Sequence, residues 1–228
     1  MLVKFEHATK RYPPNTAAAE DVTLTIAKDE FVSLVGRSGA GKSTLLKLLV
    51  GEEKPSSGKV FLGSTDVGEL EPQEFPAHRR RIGAIFQDFR LLLGRNVFEN
   101  VAFAMEVTGR ATSEIKTVVP QALDLVGLAG KERRFPKELS GGEKQRVAIA
   151  RALVHDPEVI MADEPTGNLD PVTAWDIVRL LERINAIAGT AVILATHDKD
   201  VVNALRKRVV VIDRGRIVRD DPEGRYTL

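Results

Sequence analysis

The chain has 228 residues, of which 43% are hydrophobic and 29% are charged, as is ordinary for a globular protein with a substantial core. Lysine and arginine number 33 against 32 aspartates and glutamates, so the overall charge does not indicate a nucleic-acid partner. The lack of cysteine excludes disulfides and thiolate metal sites and fits a reducing cytosol. No apolar run approaches the roughly 18–20 residues that span a bilayer, and the N-terminus has no signal-peptide pattern. We therefore expect one large domain, or a domain with a subdomain, that reaches a membrane only through a partner.

Two strands joined by a proline-rich loop are predicted at the N-terminus. Residues 2–7 and 21–26 fit strands, and in the second every other residue from Val22 is apolar. Two consecutive prolines predict a loop over residues 10–15. Within it, the aromatic face of Tyr12 could stack on an adenine, or the side chain could simply pack in the turn.

A strand, a glycine-rich loop and a helix start follow one another after residue 30. The apolar run 31–35 predicts a buried strand, and the leucine-rich run 45–49 predicts a helix that ends at Gly51. The loop between them fits the pattern G-x-x-x-x-G-K-[ST] with Gly36, Arg37, Ser38, Gly39, Ala40, Gly41, Lys42, Ser43 and Thr44. Such a loop points several backbone N–H groups at one phosphate, and the helix N-terminus adds partial positive charge. We expect Lys42 to reach the β- and γ-phosphates and Ser43 to ligate Mg²⁺; the alternative is an ordinary glycine-rich turn.

Two further short strands are predicted at residues 59–62 and 82–86. The basic run 78–81 lacks interleaved aromatic residues, so we interpret it as a solvated face before the second of these strands. Gln87 stands where that strand ends, and the apolar segment 89–93 follows. That segment either belongs to the core or provides a docking surface for a partner helix.

From about residue 95 to residue 155 the apolar residues recur with helical spacing, which predicts a helical subdomain. The stripes are Val97, Val101 and Met105, then Ile115, Val118, Val119, Ala122 and Leu125, and finally Val147, Ala150 and Val154. Ser140 and Glu143 have the spacing of a capping box at the start of the last helix. Gly141 and Gly142 beside the cap would expose backbone N–H groups and so favour a second anion site.

Polar residues follow two buried strands in the C-terminal part. The apolar run 159–162 predicts a central parallel strand and ends in Asp163 and Glu164, where a ligand-binding edge is expected. A second apolar run, 191–195, leads to His197, which in isolation fits an ordinary strand-end histidine. Between these runs we predict a turn-rich loop over 165–171 and a helix that buries Ala174, Ile177, Val178, Leu181 and Ile184. Two last strands are predicted around Val209–Ile212 and Ile217–Val218.

In this order the segments resemble the nucleotide-binding domain of ABC ATPases across essentially the whole chain. The resemblance rests on the glycine-rich loop, Gln87, the segment Leu139–Glu143, the Asp163–Glu164 pair with Asp170, and His197. It implies an α/β fold with a RecA-like P-loop core, a small antiparallel β subdomain and an α-helical subdomain. The core and antiparallel sheet would comprise about 1–87 and 156–228, and the helical subdomain about 88–155. It also implies an ATP-dependent head-to-tail homodimer in which each P-loop faces the partner's Ser140, Gly141 and Gly142 across ATP.

The resemblance further implies a role for each matching residue. Tyr12 stands at the adenine-stacking position, and Asp170 would lie at the dimer seam. Ser43 and Gln87 would ligate Mg²⁺, with Asp163 holding the ion through water. Glu164 would polarise the attacking water, and His197 would contact the γ-phosphate.

Within the family, the segments 85–88, 97–101 and 165–170 resemble those of cell-division ATPases, as does the Gly224–Tyr226 segment. This resemblance implies a permease-like integral membrane subunit, peripheral attachment at the cytoplasmic face of the membrane, and control of cell-wall hydrolases. Lipoprotein-release and macrolide-export ATPases are the alternative. A non-hydrolysing scaffold fits less well, because Glu164 is present. A DNA-repair or translation protein and a solute importer also fit less well, because no further domain is evident.

Overall fold

The computed structural model describes residues 1–14 and 16–226. Its strands are β1 Val3–Tyr12, β2 Thr16–Ile26, β3 Phe31–Val35, β4 Ser57–Leu62, β5 Thr65–Asp66, β6 Ile82–Phe86, β7 Val159–Asp163, β8 Ala191–Thr196, β9 Arg208–Asp213 and β10 Arg216–Asp221. Its helices are α1 Lys42–Val50, α2 Phe75–Arg80, α3 Val97–Glu106, α4 Thr112–Leu125, α5 Gly141–Leu153, α6 Pro171–Ala188 and α7 Lys199–Leu205. Asn15, part of the predicted N-terminal loop, lies outside the described residues.

The larger sheet has the strand order β10-β9-β3-β8-β7-β6. The strands from β9 to β6 run parallel, and β10 returns antiparallel beside β9. The register pairs Phe31 with Val192 and Ile160 with Val192, so β8 lies in the middle of the parallel block. Four of the parallel strands, β3, β6, β7 and β8, lead into segments in which the sequence predicts functional residues.

Both faces of this sheet are covered, which explains why its strands are almost continuously apolar. Along β8, Val192 and Leu194 join a core cluster formed with α3, α4, α5 and α6. The alternate residues Ile193 and Ala195 join a second cluster formed with α1 and the other sheet. The larger sheet is therefore the middle of three layers, and the packing on both of its faces fixes the positions of its strand ends.

The smaller sheet is antiparallel, with the order β2-β1-β4-β5. It packs with α1 on one side of the larger sheet, and α3, α4 and α5 pack on one another on the opposite side. This architecture confirms the α/β fold with an antiparallel sheet and a group of helices that the sequence predicts.

Several local predictions differ from the structure. Strands β1 and β2 are longer than predicted and extend to the turn at Pro13 and Pro14. Leu125, predicted on a buried stripe, is 36% exposed. Helices α2 and α7 were not predicted, because runs of six and seven residues are too short for a helical period to emerge.

The interpretation of residues 78–81 as a solvated face holds for Arg79 and Arg80, which are exposed, and is wrong for His78. His78 is only 3% exposed, and its Nε2 donates to the Leu49 carbonyl in the last turn of α1 over 2.8 Å. Arg79 donates to the carbonyls of Val50 and Gly51, and Arg81 binds Glu158. His78 and Arg79 therefore cap the C-terminal end of α1, where the unpaired carbonyls attract donors and positive charge.

Candidate functional site

The glycine-rich loop joins β3 to α1 through backbone that only glycine tolerates at key points. Gly41 is the N-cap of α1 and has a left-handed φ of 111°. A Cβ at Gly41 would lie 2.3 Å from the carbonyl oxygen of Ala18, so the loop passes directly against the start of the antiparallel sheet. A Cβ at Gly36 would lie 2.2 Å from the carbonyl oxygen of Ile212. The loop is therefore packed between β2 and β9, and these contacts fix its curved conformation.

The ammonium group of Lys42 lies inside this curve. Lys42 is 5% exposed, and its Nζ donates to the Gly36 carbonyl over 2.8 Å and to the Arg37 carbonyl over 3.3 Å. Glu164 Oε1 is 3.4 Å from the same nitrogen. A cation so placed can neutralise anionic oxygens bound by the loop.

Ser43 and Asp163 meet where the helix start approaches the end of β7. Ser43 Oγ donates to Asp163 Oδ1 over 3.0 Å. Burial raises the pKa of the Asp163 carboxyl and the Glu164 carboxylate raises it further, whereas the hydrogen bond from Ser43 and the charge of Lys42 lower it. A hydroxyl and a half-buried carboxylate in contact with each other form a set of hard oxygen donors suited to a divalent cation.

Glu164 and His197 come together from the ends of neighbouring strands β7 and β8. Glu164 Oε2 lies 2.9 Å from His197 Nδ1, and the Glu164 backbone N–H donates to the Ala195 carbonyl over 2.9 Å. Glu164 itself has a left-handed φ of 48°. Non-glycine residues in this region are often found at active sites, where the surrounding structure enforces the conformation.

Gln87, at the end of β6, is tied to the loop that follows Glu164. Its Nε2 donates to Asn168 Oδ1 over 3.2 Å, and Asn168 Nδ2 donates back to the Gln87 carbonyl over 3.1 Å. A Cβ at Gly167 would lie 2.7 Å from Gln87 Nε2, so the Gln87 amide lies directly against the Gly167 backbone. Two hydrogen bonds therefore join Gln87 to the loop after Glu164.

Most of these residues, though not Gly36 or His197, line one cavity of about 500 Å³ at the carboxyl edge of the larger sheet. The glycine-rich loop from Ser38 to Thr44, Gln87, Asp163 and Glu164 all contribute to its wall. Ala18, Arg90 and Asn168 also line it, and sequence analysis did not assign them to the site. Asn168 could have been suspected from its turn-rich loop, whereas the backbone approach of Ala18 has no sequence signal.

Other predicted site residues lie outside the lining of this cavity. Ser140 caps α5 in a reciprocal box with Glu143, and Gly142 packs against Thr173. Asp170 caps α6, and hydrogen bonds from Thr173 lower the pKa of its carboxyl. Tyr12 is half-buried at the end of β1 with the Lys10 ammonium 5.2 Å from its ring centre.

The apolar segment after Gln87 divides between core and surface. Leu91 packs against the core cluster around α3 and α5, and Leu93 is 79% exposed. Asn100, fully buried, accepts from the Leu92 N–H over 2.7 Å and donates to the Leu92 carbonyl. The segment is thus fixed to α3 and presents Leu93 to solvent.

The fold and the cavity together define an ATP-binding cassette, and comparison with known families agrees. Residues 19–167 match the family model described as ABC transporter. The chain belongs to the ABC transporter family of ATPases.

Individual relatives indicate which members of this family the chain is similar to. The chain is 52% identical to the cell division ATP-binding protein FtsE of Mycobacterium tuberculosis, covering 100% of this chain and 99% of that protein. It is 49% identical to FtsE of Bacillus subtilis, over 99% of this chain and 98% of that protein. A solved structure, the dimeric post-hydrolysis state of the cassette MJ0796 bound to ADP and Pi, matches with a TM-score of 0.88 and 33% identity, covering 99% of this chain and 100% of that one.

Proposed function

We propose that this protein is a Mg²⁺-dependent ATPase that works as the cytoplasmic subunit of an FtsEX-like complex in cell division. The observation that carries the proposal is the convergence of Lys42, Ser43, Asp163, Glu164 and Gln87 on one cavity at the edge of the sheet. The loop and helix N-terminus suit the phosphates, and the remaining groups suit a metal ion and a water molecule.

The residues at the cavity fit a nucleotide with its Mg²⁺. Lys42 would bind the β- and γ-phosphates, and the loop N–H groups would bind the phosphate oxygens. Ser43, Gln87 and Asp163 would hold Mg²⁺, which when bound would neutralise charge on the phosphates. In the part of the chain that the structure describes, no group of three or more histidine or acidic side chains could hold a metal alone. The ion would therefore bind together with the substrate phosphates, as Mg²⁺ commonly does.

Glu164 is proposed to orient the attacking water, and His197 to hold the site together. The Glu164 carboxylate is fixed from both sides, by His197 on one oxygen and by Lys42 on the other. A carboxylate fixed in this way can accept a hydrogen bond from a water molecule without moving. His197, 65% exposed, keeps its remaining ring nitrogen available for the γ-phosphate.

A second copy of the chain is proposed to complete the site. Ser140, Gly141 and Gly142 lie outside the cavity in one copy, as does Asp170, although the helix start at Ser140 suits an anion. In a head-to-tail homodimer they would reach the partner's ATP and the dimer seam. The dimeric MJ0796 cassette supports this arrangement. Adenine stacking by Tyr12 is proposed alongside it, with the ring turned from Lys10 to the base.

The membrane subunit is proposed to be an FtsX-like permease, with this protein attached peripherally at the cytoplasmic face of the plasma membrane. Among the described residues, no helix has the length and hydrophobicity to cross a bilayer. The names of the two FtsE relatives support a cell-division role over lipoprotein release or macrolide export. ATP-driven closure of the dimer would then change the conformation of the membrane subunit, which controls cell-wall hydrolysis.

Co-purification tests the proposal directly. A tagged copy recovered from gently solubilised membranes should bring down one integral membrane protein, and the complex should hydrolyse ATP only with Mg²⁺. The matched control is the same tagged chain carrying Glu164→Gln, which should recover the same membrane protein without turnover. Recovery of a solute permease, or of nucleic acid at moderate salt, would contradict the cell-division role.

A further inference from the structure

Two consecutive residues after Gln87 adopt a backbone conformation that their side chains disfavour. Phe89 has a φ of 60° and Arg90 a φ of 48°. Residues other than glycine, asparagine and aspartate rarely occupy this left-handed region, because their Cβ atom crowds the backbone. A turn built from two such residues needs support from the surrounding structure.

Arg151 supplies that support from the last turn of α5. Its Nη2 donates to the Phe89 carbonyl over 2.9 Å, and its Nη1 donates to the Arg90 carbonyl over 2.6 Å. The planar guanidinium presents its donors in a fixed fork, so one side chain fixes the relative orientation of two successive carbonyls. Burial, and then the nearby charge of Arg90, lower the pKa of Arg151, as expected for a cation enclosed by the turn it holds.

The turn is continuous with the nucleotide cavity. The Arg90 guanidinium stacks 3.6 Å from the centre of the Phe86 ring, and Arg90 lines the cavity beside Gln87. The side chain of Gln87 is held by Asn168, and the chain three residues further on is held by Arg151. The Gln87 side chain and the backbone that follows it are therefore both held in place, and the second support comes from α5, the helix that Ser140 caps.

We propose that Arg151 is a positioning residue that holds Phe89 and Arg90 in the left-handed turn and thereby places Gln87 in the cavity. The inference rests on the proposed ATPase function, in which Gln87 binds the metal ion. Without the two hydrogen bonds from Arg151, Phe89 and Arg90 relax toward right-handed or extended backbone, and the chain after β6 continues in another direction. The glycine-rich loop is untouched by that change, so nucleotide binding through Lys42 persists while the chemical step slows.

A pair of substitutions at Arg90 tests the turn with Arg151 intact. Arg90→Gly and Arg90→Val both remove the guanidinium, but glycine accepts a positive φ and valine does not. We expect the kcat of Arg90→Val to lie about tenfold to a hundredfold below that of Arg90→Gly, the scale of a misplaced active-site group, with equal affinities of the two variants for a fluorescent ATP analogue. Because Arg90 itself lines the cavity, Arg90→Gly rather than the wild type is the reference for this comparison. Equal kcat values for the two variants would overturn the proposal.

Arg151→Lys tests the fork, since it keeps the charge and loses the planar pair of donors. We expect a selective loss of kcat relative to wild type, and a kcat close to that of Arg90→Gly alone when that substitution is added. Arg146→Lys is the matched control, because Arg146 lies on the same helix and donates to the Val126 carbonyl over 2.9 Å, away from the cavity. A loss of kcat that Arg90→Gly does not restore, or that Arg146→Lys reproduces, would assign Arg151 a general structural role.

Amide hydrogen exchange over residues 86–92 reports on the turn whether or not the protein hydrolyses ATP. Exchange should rise in Arg151→Lys and return toward wild type in the double variant with Arg90→Gly. Unchanged exchange in Arg151→Lys would refute the proposal even in an active enzyme. A wild-type protein without Mg²⁺-dependent turnover would refute the proposed function instead, and the exchange measurement would still decide the role of Arg151.

Discussion

Glu164 and His197 share a hydrogen-bonding contact of 2.9 Å between Oε2 and Nδ1, although 33 positions separate them in the chain. The contact exists because β7 and β8 are parallel neighbours, so their carboxyl ends meet at one edge. The other carboxylate oxygen faces Lys42 at 3.4 Å. A single carboxylate thus joins the P-loop to the end of β8.

Glu164→Gln should keep the shape of this group and remove its charge. We expect the variant to bind ATP, to hydrolyse it at least about a hundredfold more slowly, and to accumulate as an ATP-bound dimer. Phosphate release, nucleotide binding and size-exclusion chromatography measure the three effects. Glu182→Gln, which alters an ion pair with Arg179 on α6, is the control and should behave as wild type. Turnover near the wild-type rate would remove Glu164 from the mechanism.

Lys42→Ala and Ser140→Arg should separate nucleotide binding from dimer assembly. Loss of the buried ammonium should weaken ATP binding by at least about tenfold, because a charge-assisted contact to the phosphates disappears. Ser140→Arg should leave binding to the monomer intact and block dimerisation and hydrolysis, because Ser140 lies outside the cavity of its own chain. Titration of each variant with a fluorescent ATP analogue at low protein concentration makes the comparison. Equal weakening by both substitutions would contradict the two-subunit site.

His78 should make the stability of the protein depend on pH. Burial lowers the pKa of His78, with added repulsion from Arg81 and Arg79, against the hydrogen bond to Leu49, which raises it. Its Nδ1 is buried without a partner, so a proton there would be unsatisfied. The unfolded chain binds a proton near the reference pKa of about 6.5 and the folded chain does not, so stability is present above that pH and falls as the pH drops through it.

His78→Gln should reduce this loss, because the amide can still donate to Leu49 and does not titrate. Urea unfolding at pH 8 and pH 5.5 measures the difference. Removing one titrating group changes the slope by at most about 1.4 kcal/mol per pH unit. His155, whose pKa burial also lowers, should provide part of the slope that remains. Parallel pH profiles for wild type and His78→Gln would exclude His78 as a source of the acid sensitivity.

Leu93→Glu should disrupt docking to the membrane subunit without unfolding the protein. Leu93 is 79% exposed in the segment after Gln87, whereas its neighbour Leu91 packs against the core and would destabilise the fold if changed. We expect ATP hydrolysis in solution to persist and recovery with the membrane fraction to fall. Ile187→Glu, at an apolar residue 66% exposed on α6, is the matched control and should remain membrane-bound. Membrane recovery of Leu93→Glu at the wild-type level would place docking elsewhere.

The parts of the site that sequence analysis could predict are those with local patterns. The glycine-rich loop shows its own spacing, and the Asp163–Glu164 pair ends an apolar run, so both could be placed at strand ends before the structure was known. The pairing of Gln87 with Asn168 and of Arg151 with Phe89 could not be predicted, because a side chain that meets a distant carbonyl or amide leaves no periodic pattern. The same reason explains why the capping of α1 by His78 was mistaken for a solvated face.

The position of β3 in the larger sheet constrains the order in which a newly made chain can fold. The strand that carries the glycine-rich loop, Phe31–Val35, leaves the ribosome well before both of its partners, β8 and β9. Long-range strand pairings of this kind form slowly, because the entropy of closing the long intervening chain is lost before the pairing contributes favourable contacts. A nascent chain that ends before β8 therefore carries the P-loop on a strand without neighbours. The nucleotide site can therefore form completely only after β8 and β9 have left the ribosome.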